Sequence, residues 1–219
     1  TDIATSAFVR FAQTLGFDGF SQMQAVFRQQ VRSSWPQYAS RLSDMADVNP
    51  ADHFEALSAS AVASIKRLSN SFSMEHLEVA VCKLAGAETI WFAAGGRARP
   101  VTAYMRYMLT KLGIRTQEFR EAPSEAMREL NLIGPNDVLL VVSFAPYGEL
   151  TVKLAQEAAS RDAEIVSVTD TMVSPVALDT TLLVTEESIF GFRSLCATMN
   201  LAQYLAIETG LKREKDISD

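Results

Sequence analysis

Hydrophobic residues recur with helical spacing over the first 85 residues of the chain. The first such set stands at intervals of three and four residues: Phe8, Phe11, Ala12 and Leu15. This spacing predicts an amphipathic helix over residues 4–15 that ends at Gly16. Further helices are predicted from residue 21 into an apolar stripe at Val26, Phe27 and Val31, over residues 51–68, and over residues 73–85. The amino-terminal region is therefore expected to be entirely helical.

The pattern changes after residue 85, where short apolar runs alternate with helical stretches. The runs are rich in β-branched and aromatic residues and predict five strands: 89–94, 115–119, 138–144, 164–169 and 181–185. Several are almost entirely apolar, which is typical of strands buried on both faces of a parallel sheet. The helical stretches lie at residues 100–112, 124–130, 148–161 and 190–209. This alternation predicts an α/β domain with a doubly wound, five-stranded parallel sheet.

Charge and composition narrow the possible classes of protein. The 219 residues include 20 Lys and Arg and 26 Asp and Glu, for a net charge of -6, which argues against a surface coated in positive charge for nucleic acid. A local basic patch stays possible. The longest stretch without a charged residue, 194–207, is shorter than the ~18–20 residues that a membrane helix needs, so no membrane segment is expected.

The cysteines and the amino terminus bear on localisation and completeness. Cys82 and Cys196 lie far apart in apolar surroundings, which predicts buried thiols in a reducing, cytoplasmic compartment. No secretory signal is visible. The chain starts at Thr1, within a helical pattern, and we expect further residues upstream.

Ligands of open parallel sheets bind where the strands end, so the residues that follow the strands are the candidate site. They are Gly95, Gly96, Arg97, Ala98, Arg99, Ser143, Tyr147, Gly148, Glu149 and Asp170. The glycine pair could bring backbone amides close to an anion, or could serve only a tight turn. Glu186 and Glu187 could form a catalytic carboxylate pair. Adjacent residues on a strand point in opposite directions, however, so a solvated loop is favoured.

Other signatures of chemistry are missing from the sequence. The phosphate-binding GxxxxGK[ST], the hydrolase GxSxG and the zinc HExxH motifs do not occur, and no metal or cofactor is predicted. His53 and His76 lie on predicted helices. Asp44, Asp47 and Asp52 near His53 are more typical of a charged helix terminus than of metal ligands.

Several segments resemble one family of bacterial regulators. SAFVRFAQTLGFDGFSQMQ, from Ser6 to Gln24, is similar to the end of the helix-turn-helix of RpiR-type transcription regulators. GGRARPVTAYMRYMLTKLG, DVLLVVSFAPYGELTVKLAQEA and VSVTDTMVSPVALDTTLLV resemble the sugar isomerase (SIS) domain, a flavodoxin-like fold, that follows it in the family. The resemblance implies a partial helix-turn-helix domain over residues 1–46, a helical linker at 47–73, an SIS effector-binding domain at 74–211 and a tail at 212–219.

The resemblance also implies a function and partners. Such regulators bind operator DNA as homodimers or higher homo-oligomers and sense a small effector, commonly a phosphorylated sugar. Thr5, Ser6 and Arg10 would lie on the recognition helix as DNA contacts. Arg10 could instead form a salt bridge or touch a phosphate. An oligomer could pack through the small residues of the 51–68 helix or through the 190–209 helix.

The effector site departs from the family's pattern. The family has Ser or Thr at the position of Ala98, and a Ser-x-Ser-Gly-x-Thr loop where this chain has Ser143 to Gly148, so three hydroxyl groups are missing. Arg97 and Arg99 could replace them, because guanidinium groups bind phosphate and carboxylate. We therefore expect an anionic or polyol ligand. The alternative is a degenerate site whose arginines face solvent or a partner, with Tyr147 as a packing residue.

Two other functions compete with a regulator. A phosphosugar aldose-ketose isomerase on the same fold needs a general base, for which Glu149 is the best candidate. Neither His53 nor His76 has an evident reason to reach it. A free-standing sensor domain with a remnant of the DNA-binding module is the other possibility.

Overall fold

The computed structural model describes residues 5–24, 42, 45–46, 48–72 and 74–218. The chain forms two compact units, Thr1–Pro50 and Ala51–Asp219. In the first unit, α1 (Thr5–Thr14) is followed by Gly16 with a φ of 84°, and residues 20–24 are helical again. The rings of Phe8 and Phe20 lie 5.3 Å apart. The predicted first helix is thus present, while the stripe at Val26, Phe27 and Val31 lies outside the described residues.

The second unit alternates helices and strands. In chain order its elements are α2 (Pro50–Ser71), α3 (Met74–Gly86), β1 (Ile90–Ala94), α4 (Arg99–Lys111), β2 (Thr116–Glu118), α5 (Pro123–Glu129), β3 (Val138–Val142), α6 (Glu149–Ala159), β4 (Glu164–Thr169), β5 (Thr180–Leu183), β6 (Ser188–Ile189), β7 (Phe192–Arg193) and α7 (Cys196–Ser218). β1 to β5 form a five-stranded sheet in the order β2-β1-β3-β4-β5, with every pair parallel. The doubly wound sheet predicted from the sequence is confirmed.

The alternating side chains of the strands build a core on each face of the sheet. Ile90, Phe92 and Leu140 pack with α3, α4 and α7 on one face. Trp91 and Leu139 pack with α5 and α6 on the other. The strand order reverses between β1 and β3, so their carboxyl ends flank the crevice in which doubly wound folds bind ligands.

The predicted helix over residues 190–209 is wrong at its amino end. β6 and β7 form an antiparallel hairpin whose turn residues, Phe190 and Gly191, have φ values of 50° and 78°. Backbone in this left-handed region cannot continue a right-handed helix, so α7 begins only at Cys196.

The predicted tail at 212–219 is also corrected, because α7 continues to Ser218. Arg213 anchors this last part of the helix. Its Nε donates a 2.9 Å hydrogen bond to the carbonyl of Ala85 at the end of α3, and its guanidinium also contacts the carbonyl of Ala87. Burial lowers the pKa of Arg213.

The sequence predicted that both cysteines are buried, and this prediction is wrong. Cys82 lies on α3 and Cys196 begins α7, and both are exposed. Among the described helices, none is long and apolar enough to cross a membrane. The described residues also hold no cluster of three His, Cys, Asp or Glu side chains suited to a metal ion.

Candidate functional site

The loop after β1 makes a tight turn at the switch point of the sheet. Gly95 is extended, Gly96 has a φ of 52°, and residues Gly96–Ala98 form one turn of 3₁₀ helix that leads into α4. A side chain at Gly96 would be strained by the left-handed backbone. A Cβ atom at Gly95 would stand 3.3 Å from the Thr151 hydroxyl oxygen. The two glycines therefore meet different needs, a turn at Gly96 and a close approach at Gly95.

Thr151 brings a hydroxyl group to this crevice. It lies in the first turn of α6, next to the loop after β3, and its side-chain oxygen would stand 3.6 Å from a Cβ atom at Gly148. The residue is only 4% exposed, and its hydroxyl group takes part in no hydrogen bond among the described residues. Helix amino termini also present unpaired backbone N–H groups. A free hydroxyl group and a helix amino terminus thus face the Gly95 backbone, an arrangement suited to an anion.

Arg97 lies over the loop after β3. Its guanidinium carbon stands 4.9 Å from the centroid of the Phe144 ring, and its Nη1 donates a 3.2 Å hydrogen bond to the carbonyl of Ser194. These contacts hold a half-buried positive charge beside the glycine turn. Arg99 points elsewhere, into an exposed salt bridge with Glu121. The sequence had grouped the two arginines, and the structure separates them.

Two of the predicted site residues are buried beside the crevice. The Ala98 side chain is 2% exposed and packs in the core, so it presents no side-chain surface to a ligand. Ser143 is 5% exposed, and its N–H donates to the Val168 carbonyl at 3.0 Å. Its hydroxyl group, like that of Thr151, is unbonded among the residues that the structure describes.

Tyr147 and Asp170 are brought together. The Tyr147 hydroxyl donates a 2.6 Å hydrogen bond to Asp170 Oδ1, and the Ala145 N–H donates to Oδ2 at 3.1 Å. Burial, together with the hydrogen bond to Asp170, raises the pKa of Tyr147. This pairing ties the loop after β3 to the end of β4. Gly148 and Glu149, which follow in the same loop and in the first turn of α6, are exposed.

Glu186 and Glu187, the acidic pair that follows β5, have different partners, as expected for adjacent side chains that point in opposite directions. They do not lie in a solvated loop. Glu186 is 9% exposed, and its Oε1 accepts hydrogen bonds from the N–H and the hydroxyl of Thr198, at 2.8 and 2.7 Å. Its Oε2 is buried without a partner among the described residues. Glu187 pairs instead with Arg67 on α2. Glu186 therefore caps the amino end of α7, and the prediction of a solvated loop is wrong for it.

The predicted DNA contacts lie in the first unit. Arg10 is exposed on α1. The side chains of Thr5 and Ser6 lie outside the part of the chain that the structure describes. Only Arg10 is thus placed on an open helix face.

Sequence reasoning missed Thr151, Thr198, Arg193 and the capping role of Glu186. The Arg193 Nη2 donates a 2.7 Å hydrogen bond to the Ala145 carbonyl, which links the β6–β7 hairpin to the site. One signal for Thr151 was available, since it lies in the predicted first turn of a helix that follows a site loop. The other three residues depend on contacts between distant segments, and no local pattern marks them.

The SIS domain family matches residues 83–208 of this chain. No curated protein matches the sequence significantly. Among solved structures, the sugar isomerase domain of an RpiR transcription factor from Sphaerobacter thermophilus is 24% identical with a TM-score of 0.67, covering 71% of this chain and 88% of that one. The NanR protein of Vibrio vulnificus, complexed with ManNAc-6P, is 20% identical with a TM-score of 0.68, covering 97% of this chain and 76% of that one. A protein of Listeria monocytogenes proposed to be a sugar-phosphate isomerase is 17% identical with a TM-score of 0.62, covering 77% and 90%.

Proposed function

Because the chain belongs to the SIS domain family, we propose that it is a ligand-responsive, DNA-binding transcription regulator whose SIS domain binds a small anionic sugar derivative. The observation that carries the ligand class is the hydroxyl group of Thr151, a residue only 4% exposed, at the amino terminus of α6. This group has no hydrogen-bond partner among the described residues and lies close to Gly95. Arg97 adds a positive charge beside it. A phosphate group matches this set of donors, because it accepts hydrogen bonds and carries negative charge.

Other groups at the crevice replace some of the hydroxyl groups that the loop sequence lacks. Judged by the family's loop pattern alone, hydroxyl groups are missing at Ala98, Ala145 and Gly148. Thr151 supplies one hydroxyl group three residues after the expected position, on the first turn of α6. Arg97 supplies charge that the pattern does not require. We infer that the site still binds an anion by this different set of groups.

The regulator rather than the enzyme is favoured by the extent of the structural likeness. The match to NanR spans 97% of this chain, so it takes in the helical first unit as well as the SIS domain. That neighbour is complexed with ManNAc-6P, a sugar phosphate of the size and charge proposed here. Arg10 is exposed on α1, and we expect this cation to contact DNA. We expect operator DNA and a second copy of the chain as partners.

Binding of DNA and of ManNAc-6P by the full-length gene product tests this proposal. In fluorescence anisotropy, DNA flanking the gene should form a complex that weakens as salt rises, because phosphate contacts release counterions. ManNAc-6P should shift the midpoint of that titration. Scrambled DNA of the same length is the control. Equal affinity for both DNAs would overturn the regulator, and an unchanged midpoint with ManNAc-6P and with other sugar phosphates would overturn the effector role.

An isomerase is the second candidate, favoured by the likeness to the Listeria monocytogenes protein and by the exposed Glu149. Glu149 lies in the first turn of α6, where a general base could reach a ligand at the glycine turn. Neither His53 nor His76 supports an isomerase. The His53 Nε2 is buried, and His76 lies on α3 in a cleft with Phe72 and Met172.

We expect no turnover of sugar phosphates by the wild-type chain. We expect Glu149→Gln to leave ManNAc-6P affinity within about threefold, because the exposed Glu149 side chain forms no hydrogen bond or ion pair with Arg97 or Thr151. Interconversion of aldose and ketose phosphates, followed by NMR, measures the first expectation. Calorimetry measures the second. Turnover by the wild type that Glu149→Gln abolishes would establish the enzyme instead.

A further inference from the structure

One short segment contacts both the candidate site and the helix that leads into the SIS domain. This connecting segment, residues 186–194, runs from the end of β5 to the start of α7 and includes the β6–β7 hairpin. On the site side, Arg193 Nη2 donates to the Ala145 carbonyl at 2.7 Å. The Ser194 carbonyl accepts the 3.2 Å hydrogen bond from Arg97 Nη1. Both loops of the candidate site are therefore bonded to the carboxyl end of this segment.

The same segment is bonded along α2. The Glu187 N–H donates to Ser64 Oγ at 2.8 Å, and the Glu187 carboxylate pairs with Arg67. Ser64 is completely buried. At the hairpin turn, the Phe190 ring meets the His53 ring edge-on, with centroids 6.2 Å apart. These contacts fall near both ends of α2, so the connecting segment constrains the helix over most of its length.

α2 follows the first compact unit directly in the chain. The first compact unit ends at Pro50, which is also the first residue of α2. α2 is therefore the element at which the chain passes from the first unit into the second. At its other end, the connecting segment is fixed by Glu186, which caps α7 through Thr198. The hairpin lies between these two bonded ends.

We propose that the connecting segment couples the occupancy of the candidate site to α2. An anion that engages Arg97 competes with the Ser194 carbonyl for the same guanidinium group, so ligand binding changes the hydrogen bonding of the segment. Coupling of this kind needs an element that both sites bias. The hairpin qualifies because Arg193 holds it to the site and Phe190 holds it to α2. The identity of the ligand rests on the proposed function, whereas the coupling itself rests on these contacts.

Amide hydrogen exchange of the full chain, without any ligand, tests the coupling directly. Arg193→Gln removes the guanidinium contact with the Ala145 carbonyl at the site. We expect the amides of residues 51–60 to exchange about fivefold faster in this variant. Phe190→Ala should have a similar effect. In the double variant, the increase in exchange rate should be smaller than the product of the two single-variant increases.

Arg115→Gln is the matched control, because Arg115 is an exposed arginine that pairs with Glu88 away from the segment. Circular dichroism must show that each variant is folded at the temperature of exchange. If residues 51–60 respond to Arg193→Gln no more than to Arg115→Gln, the coupling does not exist. The same conclusion follows if the effects of Arg193→Gln and Phe190→Ala multiply without interaction.

Experiments with ligand distinguish a failure of the coupling from a failure of the proposed function. Calorimetry with ManNAc-6P and with inorganic phosphate reports whether the site binds an anion. Where binding is seen, exchange at residues 51–60 should change in the wild type and stay constant in Phe190→Ala. Binding without that change would overturn the coupling. Absence of binding would count against the proposed ligand class, while the ligand-free variants would still decide the coupling.

Discussion

Arg97→Met should weaken ManNAc-6P binding by about tenfold to a hundredfold, since a hydrogen bond to a charged group contributes ~1.5–3 kcal/mol. The guanidinium is held over Phe144 and beside the glycine turn, and to bind a phosphate there it exchanges its hydrogen bond to the Ser194 carbonyl. Methionine retains much of the side-chain volume and removes the charge. Isothermal titration calorimetry at fixed ionic strength measures the change. Thermal unfolding checks that loss of the Ser194 contact has not unfolded the chain.

Arg99→Met is the matched control for this prediction. Arg99 stands two residues later, carries the same charge and pairs with Glu121 in an exposed salt bridge. We expect less than a twofold change in affinity, because exposed charges are screened by salt. Equal losses in the two variants would mean that only the net charge of the loop matters, and would contradict a direct contact by Arg97.

The hydroxyl group of Thr151 should make a smaller, separable contribution. Thr151→Val keeps the shape of the side chain and removes the donor, and should weaken binding about tenfold, the lower end of the ~1.5–3 kcal/mol that a hydrogen bond to a charged group contributes. Thr151→Ser should bind almost as well as the wild type. If valine and serine behave alike, the hydroxyl group does not contact the ligand, and the anion is bound by Arg97 and backbone amides.

The sheet was predictable because its signal is local. β1 and β3 are runs of apolar residues, aliphatic and aromatic, bounded by turn residues, and burial on both faces demands such a composition. The glycine turn was equally visible, because a left-handed backbone at Gly96 restricts the residue type. Thr151 was not predicted as a site residue, for a different reason. The loop pattern placed the expected hydroxyl group at Gly148, and the first turn of α6 supplies it three residues later.

Features that depend on distant partners could not be predicted in this way. The hairpin at residues 188–193 and the helix after it share apolar residues that also fit a helical period, so only the backbone angles at Phe190 and Gly191 distinguish them. The environment of Glu186 depends on Thr198, which lies across the hairpin. The exposure of Cys82 depends on the face of α3 that the sheet leaves uncovered. In each case tertiary packing, and not local propensity, decides the outcome.

Glu186→Leu should lower the free energy of unfolding by about 2–4 kcal/mol, because it deletes two hydrogen bonds that Thr198 donates to a carboxylate, each worth ~1.5–3 kcal/mol, and leaves the Thr198 N–H and hydroxyl unsatisfied. The carboxylate also interacts favourably with the amino end of the α7 dipole, by ~0.3–1 kcal/mol. The buried and unpartnered Oε2 works against this, since burying a charge is costly. We therefore place the net loss below the simple sum.

Glu186→Gln distinguishes these contributions, because the amide oxygen can still accept from Thr198 while the charge is gone. It should cost only about 1 kcal/mol. Glu187→Gln, which breaks the pairing with the exposed Arg67, serves as the neighbouring control and should cost ~0–1 kcal/mol. Urea unfolding followed by the fluorescence of the buried Trp91, in a Trp35→Phe background, measures all three. If leucine proves as stable as the wild type, the desolvation of Glu186 cancels its capping bonds, and the carboxylate would then be retained for a reason other than stability.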